Sequence, residues 1–273
     1  MSFALSHFVP SNVISELMIA DLRKNLVFAN LIGVSTPDQI GRGASYKIPG
    51  VGAITVRDYA GSAITVEEMA DIGTTVTISE EKYFAFYADY VDNAETARDV
   101  LPLYIDKATY SLASAVDAYI AAQLVSGSAA SVTGGAIDET DVLDWFADCV
   151  KAFDTNNVPT VGRWVVVPPV VSASLLKANV ITNQKGADLN VGSIANVFGI
   201  DVYVSNNLKA TADITPTVTA IGGVASAANL VMTLRDVESV VAPTRFATIE
   251  RGLVVFGAAA CDFNSLINSA ITL

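Results

Sequence analysis

At 273 residues, 52% apolar and 16% charged, the chain is long enough for one large domain or two modest ones, and too apolar to be disordered. Its net charge of −12 excludes gripping nucleic acid by phosphate neutralisation over the whole surface, though not enclosing it. No run of eighteen apolar residues is present, so the mean hydropathy of +0.46 speaks for packing and against a membrane span.

The first residues, Met1 to His7, lack the basic start and small-residue cleavage site of a signal peptide, and synthesis in the cytoplasm is the expectation. Ser11 is a candidate N-cap for a helix over about 12–28, with Val13, Leu17, Ala20, Leu22 and Leu26 on its apolar face. Residues 30–37 break that helix. The whole 1–43 stretch reads as an arm that lies along another part of the fold or across a neighbour.

An extended excursion follows. Ser45 to Pro49 and Ala53 to Arg57 run out, Asp58 to Gly61 turn, and Ile64 to Glu68 return. A further β run, Thr74 to Ser79, leads to the aromatic stretch Tyr83, Phe84, Phe86 and Tyr87, which reads as core or as sheet packed on a helix. Asp92 and Glu95 have capping-box spacing for a short helix. The period then lengthens to about three and a half. Leu101, Ile105, Ala108, Leu112, Ala115 and Tyr119 form one stripe, predicting a helix over about 101–126, roughly 38 Å long, with Asp99 near its N-cap and Pro102 in its first turns.

The small, Gly-rich residues 129–136 read as a domain boundary. Beyond them Asp138, Glu139 and Asp141 open a helix that buries Val142, Trp145, Phe146, Cys149, Val150 and Phe153, and Asn156 and Asn157 end it. Arg163 to Val167 is a strand halted by two prolines, 170–178 a helix, and 199–205 a strand with Ile200, Val202 and Val204 inward. Residues 208–228, rich in Ala, Thr and Gly, read as an irregular loop or short hairpin. Leu230 to Leu234 and 245–263 return as strands, the last rejoining the sheet begun near Phe84. The whole is α+β, with no solenoid-length repeat.

A two-stranded ribbon without a third strand buries little and is marginal alone, so it finds its partner elsewhere, most economically on a neighbouring copy. Chemistry is poorly represented. His7 is the single histidine, and there is no phosphate loop, Gly-x-Ser-x-Gly elbow, His-Glu-x-x-His pair or paired-cysteine spacing. No catalytic, cofactor-binding or metal-binding residue is therefore assigned. Asp138, Glu139, Asp141, Asp144 and Asp148 lack the glycine and closing glutamate of a calcium loop and read as a solvated helix face. Cys149 and Cys261 read as buried thiols. Glu67, Glu68 and Asp71 are either an acidic edge that discourages wrong strand pairing or partners for basic residues of a neighbour, with Arg42, Lys47 and Arg57 the candidates within the same region.

Several strings, in this order, carry a family resemblance: Tyr46-Lys47-Ile48-Pro49, then Val56-Arg57-Asp58-Tyr59-Ala60-Gly61, Thr75 to Ile78, Tyr83 to Phe86, and Ala108-x-Tyr110-x-Leu112-Ala113-x-x-Val116-Asp117. Trp164 to Pro169, Gly199 to Asn207 and Glu250 to Ala258 continue it. The set spans nearly all of residues 40–260 and resembles the coat proteins of tailed bacteriophages. That resemblance implies the Hong Kong 97 type major capsid fold: an N-terminal arm (1–43), an extended loop (44–74), a peripheral domain with a spine helix (75–135), an axial domain (136–244) and C-terminal strands (245–273) returning to the peripheral domain. It implies self-assembly into hexamers and pentamers of an icosahedral shell, in the virion after assembly in the host cytoplasm. The shell would enclose DNA without sequence-specific binding. The absence of a long charged coiled-coil segment implies a separate scaffolding protein, and a portal is the other implied partner. Inter-subunit contact is expected at Arg42, Lys47, Arg57, Asp58, Tyr59, Glu67 and Glu68. The alternative is the shell of an encapsulin-type bacterial nanocompartment.

Overall fold

The computed structural model describes residues 26–37, 42–50, 55–58, 66, 68, 73–89, 101–178, 193–208, 217–244 and 246–272. Its elements in chain order are α1 (Phe28–Leu31), β1 (Gly33–Ser35), β2 (Ser45–Ile48), β3 (Thr74–Thr77), β4 (Glu80–Asp89), α2 (Leu101–Ser126), β5 (Ala130–Ser131), β6 (Gly135–Ala136), α3 (Val142–Thr155) and β7 (Arg163–Val167). Then come α4 (Pro169–Lys177), β8 (Ser193–Val197), β9 (Ile200–Val204), β10 (Thr217–Val224), β11 (Ala228–Val241), β12 (Ala247–Ala260) and β13 (Ile267–Thr272). The mixture is α+β, as expected. Most of the expected 12–28 helix, the Asp92–Asp99 capping region, and the ribbon positions 53–54 and 59–65 lie outside the described residues.

Among the described residues, three sheets form. The first has the order β1-β11-β12-β4, the second is seven-stranded around β5-β13-β10-β7-β9-β8 with β6 also on β13, and the third is the pair β2-β3. The spine-like helix α2 lies under the first sheet: Tyr119 meets Phe256 edge-on at 5.2 Å, and Phe86 meets Tyr104 at 5.7 Å. Its bounds agree with the sequence, but its buried line is rotated. Ile105, Ala108, Ala115 and Tyr119 are half-buried, while Thr109, Leu112, Ala113, Val116, Asp117, Ile120, Ala121 and Leu124 are buried. The reason is that α2 is covered from more than one side, by β12 and β4, by α1 and by β10. Its two buried polar positions are satisfied, Thr109 by the Ile105 carbonyl at 2.8 Å and Asp117 as described below.

In the second sheet β7 is buried at all five positions between β10 and β9, as a strand covered on both faces must be. Helix α3 buries Val142, Trp145, Phe146, Cys149 and Phe153 and leaves Val150 half-buried. The Trp145 indole N–H donates to Ser269 Oγ at 3.0 Å, tying α3 to β13. Strand β9 buries Ile200, Val202 and Tyr203, whereas Val204 is half-buried.

Three expectations give way. Residues 217–224 are no loop but β10, between β13 and β7. Their small side chains are a packing requirement: a Cβ on Gly222 would sit 2.8 Å from Val165 and 2.9 Å from Ile267. The stretch 129–136 forms β5 and β6, both parallel partners of β13, where the chain passes from α2 into the second sheet. Tyr83 and Tyr87 are exposed, since β4 is the edge of the first sheet and alternation turns only Phe84 and Phe86 inward. Cys261, just past β12, is half-buried rather than buried.

The last three strands divide between the two large sheets. β12 does join β4, but β11, a few residues before it, pairs with it as well, and β13 leaves for the second sheet. A connection that short makes its two flanking strands immediate neighbours, which draws β11 into the first sheet.

Candidate assembly surface

The β2-β3 ribbon sits on the outer face of the first sheet. Val76 and Ile78 from the ribbon and Val231 and Val255 from the sheet form a small separate core, flanked by Tyr46, Ile48, Leu253 and Ala259. Burying Val76 and Ile78 contributes about 1.5–3 kcal/mol each, enough to fix the base of the ribbon. Hydrogen bonds add to this: the Gly43 N–H donates to the Ile78 carbonyl at 2.9 Å, and Ile78 N–H to Ala44 at 3.0 Å. Ser79 and Tyr119 share a hydroxyl hydrogen bond of 2.9 Å, which links the ribbon's end to α2.

Arg42 and Lys47 are exposed on the base, Lys47 facing away from the sheet while its neighbours Tyr46 and Ile48 face it. Beyond the base the picture changes. Arg57 and Asp58 are exposed, in a stretch (55–58) that falls in no regular element, and Glu68 is exposed as well. Val56 is 94% and Val66 87% exposed, so the far part of the ribbon leaves β-branched side chains uncovered. Tyr59 and Glu67 lie outside the described residues.

The same sheet face continues past the ribbon as an open groove of about 620 Å³. Tyr83, Tyr87, Ile249 and Leu253 line it, with Arg251 and Glu238 hydrogen-bonded across it at 2.6 Å. Sequence reasoning missed this surface. The signal was available in the period-two alternation of Tyr83, Ala85 and Tyr87, once β4 is known to be an edge.

The second site is a buried junction. Asp117, fully buried on α2, accepts the Val27 N–H at 2.9 Å and the Phe28 N–H at 3.3 Å, and so holds the start of α1. Burial pushes its carboxyl up to about 6, in spite of the hydrogen bonds from Val27, Phe28 and the Asn207 side chain. Ser114 in turn donates to Asn207 at 2.9 Å. One carboxylate thereby joins the N-terminal segment, α2 and the stretch after β9.

Burial likewise raises the Cys149 thiol to about 12 and, less strongly, the Cys261 thiol. Asp138, Glu139, Asp141, Asp144 and Asp148 are exposed on α3 and its approach, as expected of a solvated face. Among the described residues no three of His, Cys, Asp and Glu gather as metal ligands would, and no helix is long and apolar enough to cross a membrane.

The phage capsid protein family matches residues 72–268, most of the chain. The chain belongs to that family. A structure from Mycobacterium phage Che8 is 30% identical, with 84% of this chain and 85% of that one covered and a TM-score of 0.66. The capsid structure of the cyanophage P-SCSP1u, at 17% identity, covers 90% and 88% with a TM-score of 0.68. The capsid of Ralstonia phage GP4, at 12% identity, covers 88% and 89% with a TM-score of 0.66. No curated protein sequence matches. The fold of this capsid protein is thus of the Hong Kong 97 type, and its family is one of structural subunits that assemble into shells.

Proposed function

We propose that this capsid protein works by polymerisation alone: identical copies, as hexamers and pentamers, tile the icosahedral head of a tailed phage around DNA that they do not read. The observation that carries this is the ribbon. Its base is held by the subunit's own sheet, yet Val56 and Val66 beyond it are almost wholly exposed. Exposed β-branched side chains beyond the base of a two-stranded ribbon favour a neighbour as their cover. In this reading residues 44–74 are the extended loop, lying over an adjacent copy, and α2 with the first sheet is the stiff body that carries it. Arg42, Lys47, Arg57, Asp58, Tyr59, Glu67 and Glu68 make contacts between copies. Each contact is modest, and repetition over a closed lattice makes the shell strong. Assembly takes place in the host cytoplasm with a separate scaffolding protein and a portal.

Deleting residues 50–70 tests this directly. β2 and β3 remain to be joined by a short turn, so the subunit stays folded and soluble, and electron microscopy should find no particles. Normal shells from the deleted chain would remove the loop's role.

A further inference from the structure

One end of the seven-stranded sheet carries two turns with exposed apolar side chains, and in one of them a phenylalanine holds a conformation that the isolated subunit does not reward. β8 and β9 are joined by a two-residue turn, since Val197 pairs directly with Ile200. The residues between them, Phe198 and Gly199, both have positive φ, 51° and 83°. Tight hairpin turns of that kind favour Asn-Gly, because asparagine and glycine tolerate the left-handed region. A phenylalanine there is costly, as a bulky side chain rarely adopts it. Burial does not recover the cost: Phe198 is 60% exposed.

The rest of the turn is well made. Asn196 Oδ1 accepts the Gly199 N–H at 3.2 Å, and Asn196 Nδ2 donates to Asp201 at 2.8 Å. β7 runs parallel to β9, with Trp164 opposite Asp201, so the turn before β7 lies at the same sheet end. That turn exposes Val161 by 86%, next to Gly162 with φ 78°. Two adjacent turns therefore each offer an exposed apolar side chain beside a left-handed glycine.

Charge narrows the choice of occupant. Copies of a chain with net charge −12 repel one another, so contacts between them are best made where charge is absent. Residues 157–162 and 197–200 contain no charged side chain. The nearest charges are already engaged, Arg163 with Asp154 at 2.7 Å and Asp201 with Asn196.

We propose that Phe198 and Val161 form an apolar knob that seats against a second copy of this chain during assembly. The proposal rests on the shell-forming reading above. It adds a contact at the sheet end that is separate from the ribbon.

The test exploits the turn. Phe198→Asn suits the left-handed backbone, so the isolated variant folds with an unfolding midpoint equal to or above that of the wild type. Its yield of particles at fixed subunit concentration should fall about tenfold, as for loss of an aromatic contact between proteins, and Val161→Ser should give a smaller fall. Amide hydrogens of 196–200, some already slowed by the hairpin's own hydrogen bonds, should exchange more slowly in wild-type shells than in free subunits. Phe198→Asn assembling like the wild type, or equal exchange in both states, overturns the knob. A Phe198 side chain that a soluble quencher or modifier cannot reach in the free subunit would mean that another segment of the same chain covers the tip, which overturns it as well. Wild-type particles in the same preparation report on the shell reading separately; without them, that reading fails and the knob fails with it.

Discussion

Asp117 is the residue at which physics and packing conflict most. A buried carboxylate on the covered face of α2 costs stability when charged, and it is retained while holding two backbone N–H groups of the N-terminal segment. Its pKa of about 6 lies above the unfolded value near 3.8. The native chain therefore binds the proton more tightly than the unfolded chain, and this group's contribution to stability falls as pH rises from about 4 through 6. At pH 7 the cost is on the order of 3 kcal/mol. Asp117→Asn keeps an acceptor oxygen and removes the titration. The difference in urea unfolding free energy between wild type and variant should thus change across pH 4–7, with the wild type gaining relative to the variant as the solution is acidified. Asp117→Ala leaves both N–H groups unmet and should cost roughly 1–3 kcal/mol on that account. The exposed ribbon charges belong to this scale too. Arg57→Glu and Glu68→Lys should each impair assembly and together partly restore it, as measured by particle yield. Additive damage would speak against their pairing.

At the scale of elements, the seat of the ribbon on the first sheet depends on close approach. A Cβ on Gly257 of β12 would lie 2.4 Å from the Thr77 carbonyl oxygen and 3.0 Å from the Ile78 Cα, both backbone atoms that do not yield easily. Gly257→Ala should lift β3 from β12 and cost about 1–3 kcal/mol, the usual range for overpacking. Hydrogen exchange would show it as faster exchange at 44–48 and 74–78, with α3 and the second sheet unchanged. Uniform destabilisation would mean that the ribbon is not an independent element. Helix α2 shows a different limit of pattern reading. Its ends were legible because the period changes at 101 and glycine stands at 127, but its buried line was not, because a helix covered from several sides has no single apolar stripe.

At the scale of the whole molecule, the charge of −12 sets copies against each other before any contact forms. Added salt shortens the range of that repulsion, from about 10 Å at 0.1 M to about 3 Å at 1 M. Raising salt from low ionic strength should therefore lower the subunit concentration needed for assembly, as light scattering would report. The reverse result would show that ion pairs between copies, of the Arg57 and Glu68 kind, outweigh the overall repulsion.

The amino-acid sequence by itself determined the class, the bounds of α2, β7 and α3, the poverty of catalytic groups and the family, because each of these rests on local periodicity, on composition or on an ordered set of strings. Tertiary structure alone decided that residues 217–224 are an inner strand, that β11 lies in the first sheet and β13 in the second, and that Tyr83 and Tyr87 look outward from an edge. The physical reason is shared. Small residues, glycines and alternating aromatics have the same local pattern whether the space beside them is filled by solvent, by a neighbouring strand or by another copy, and only long-range pairing settles which.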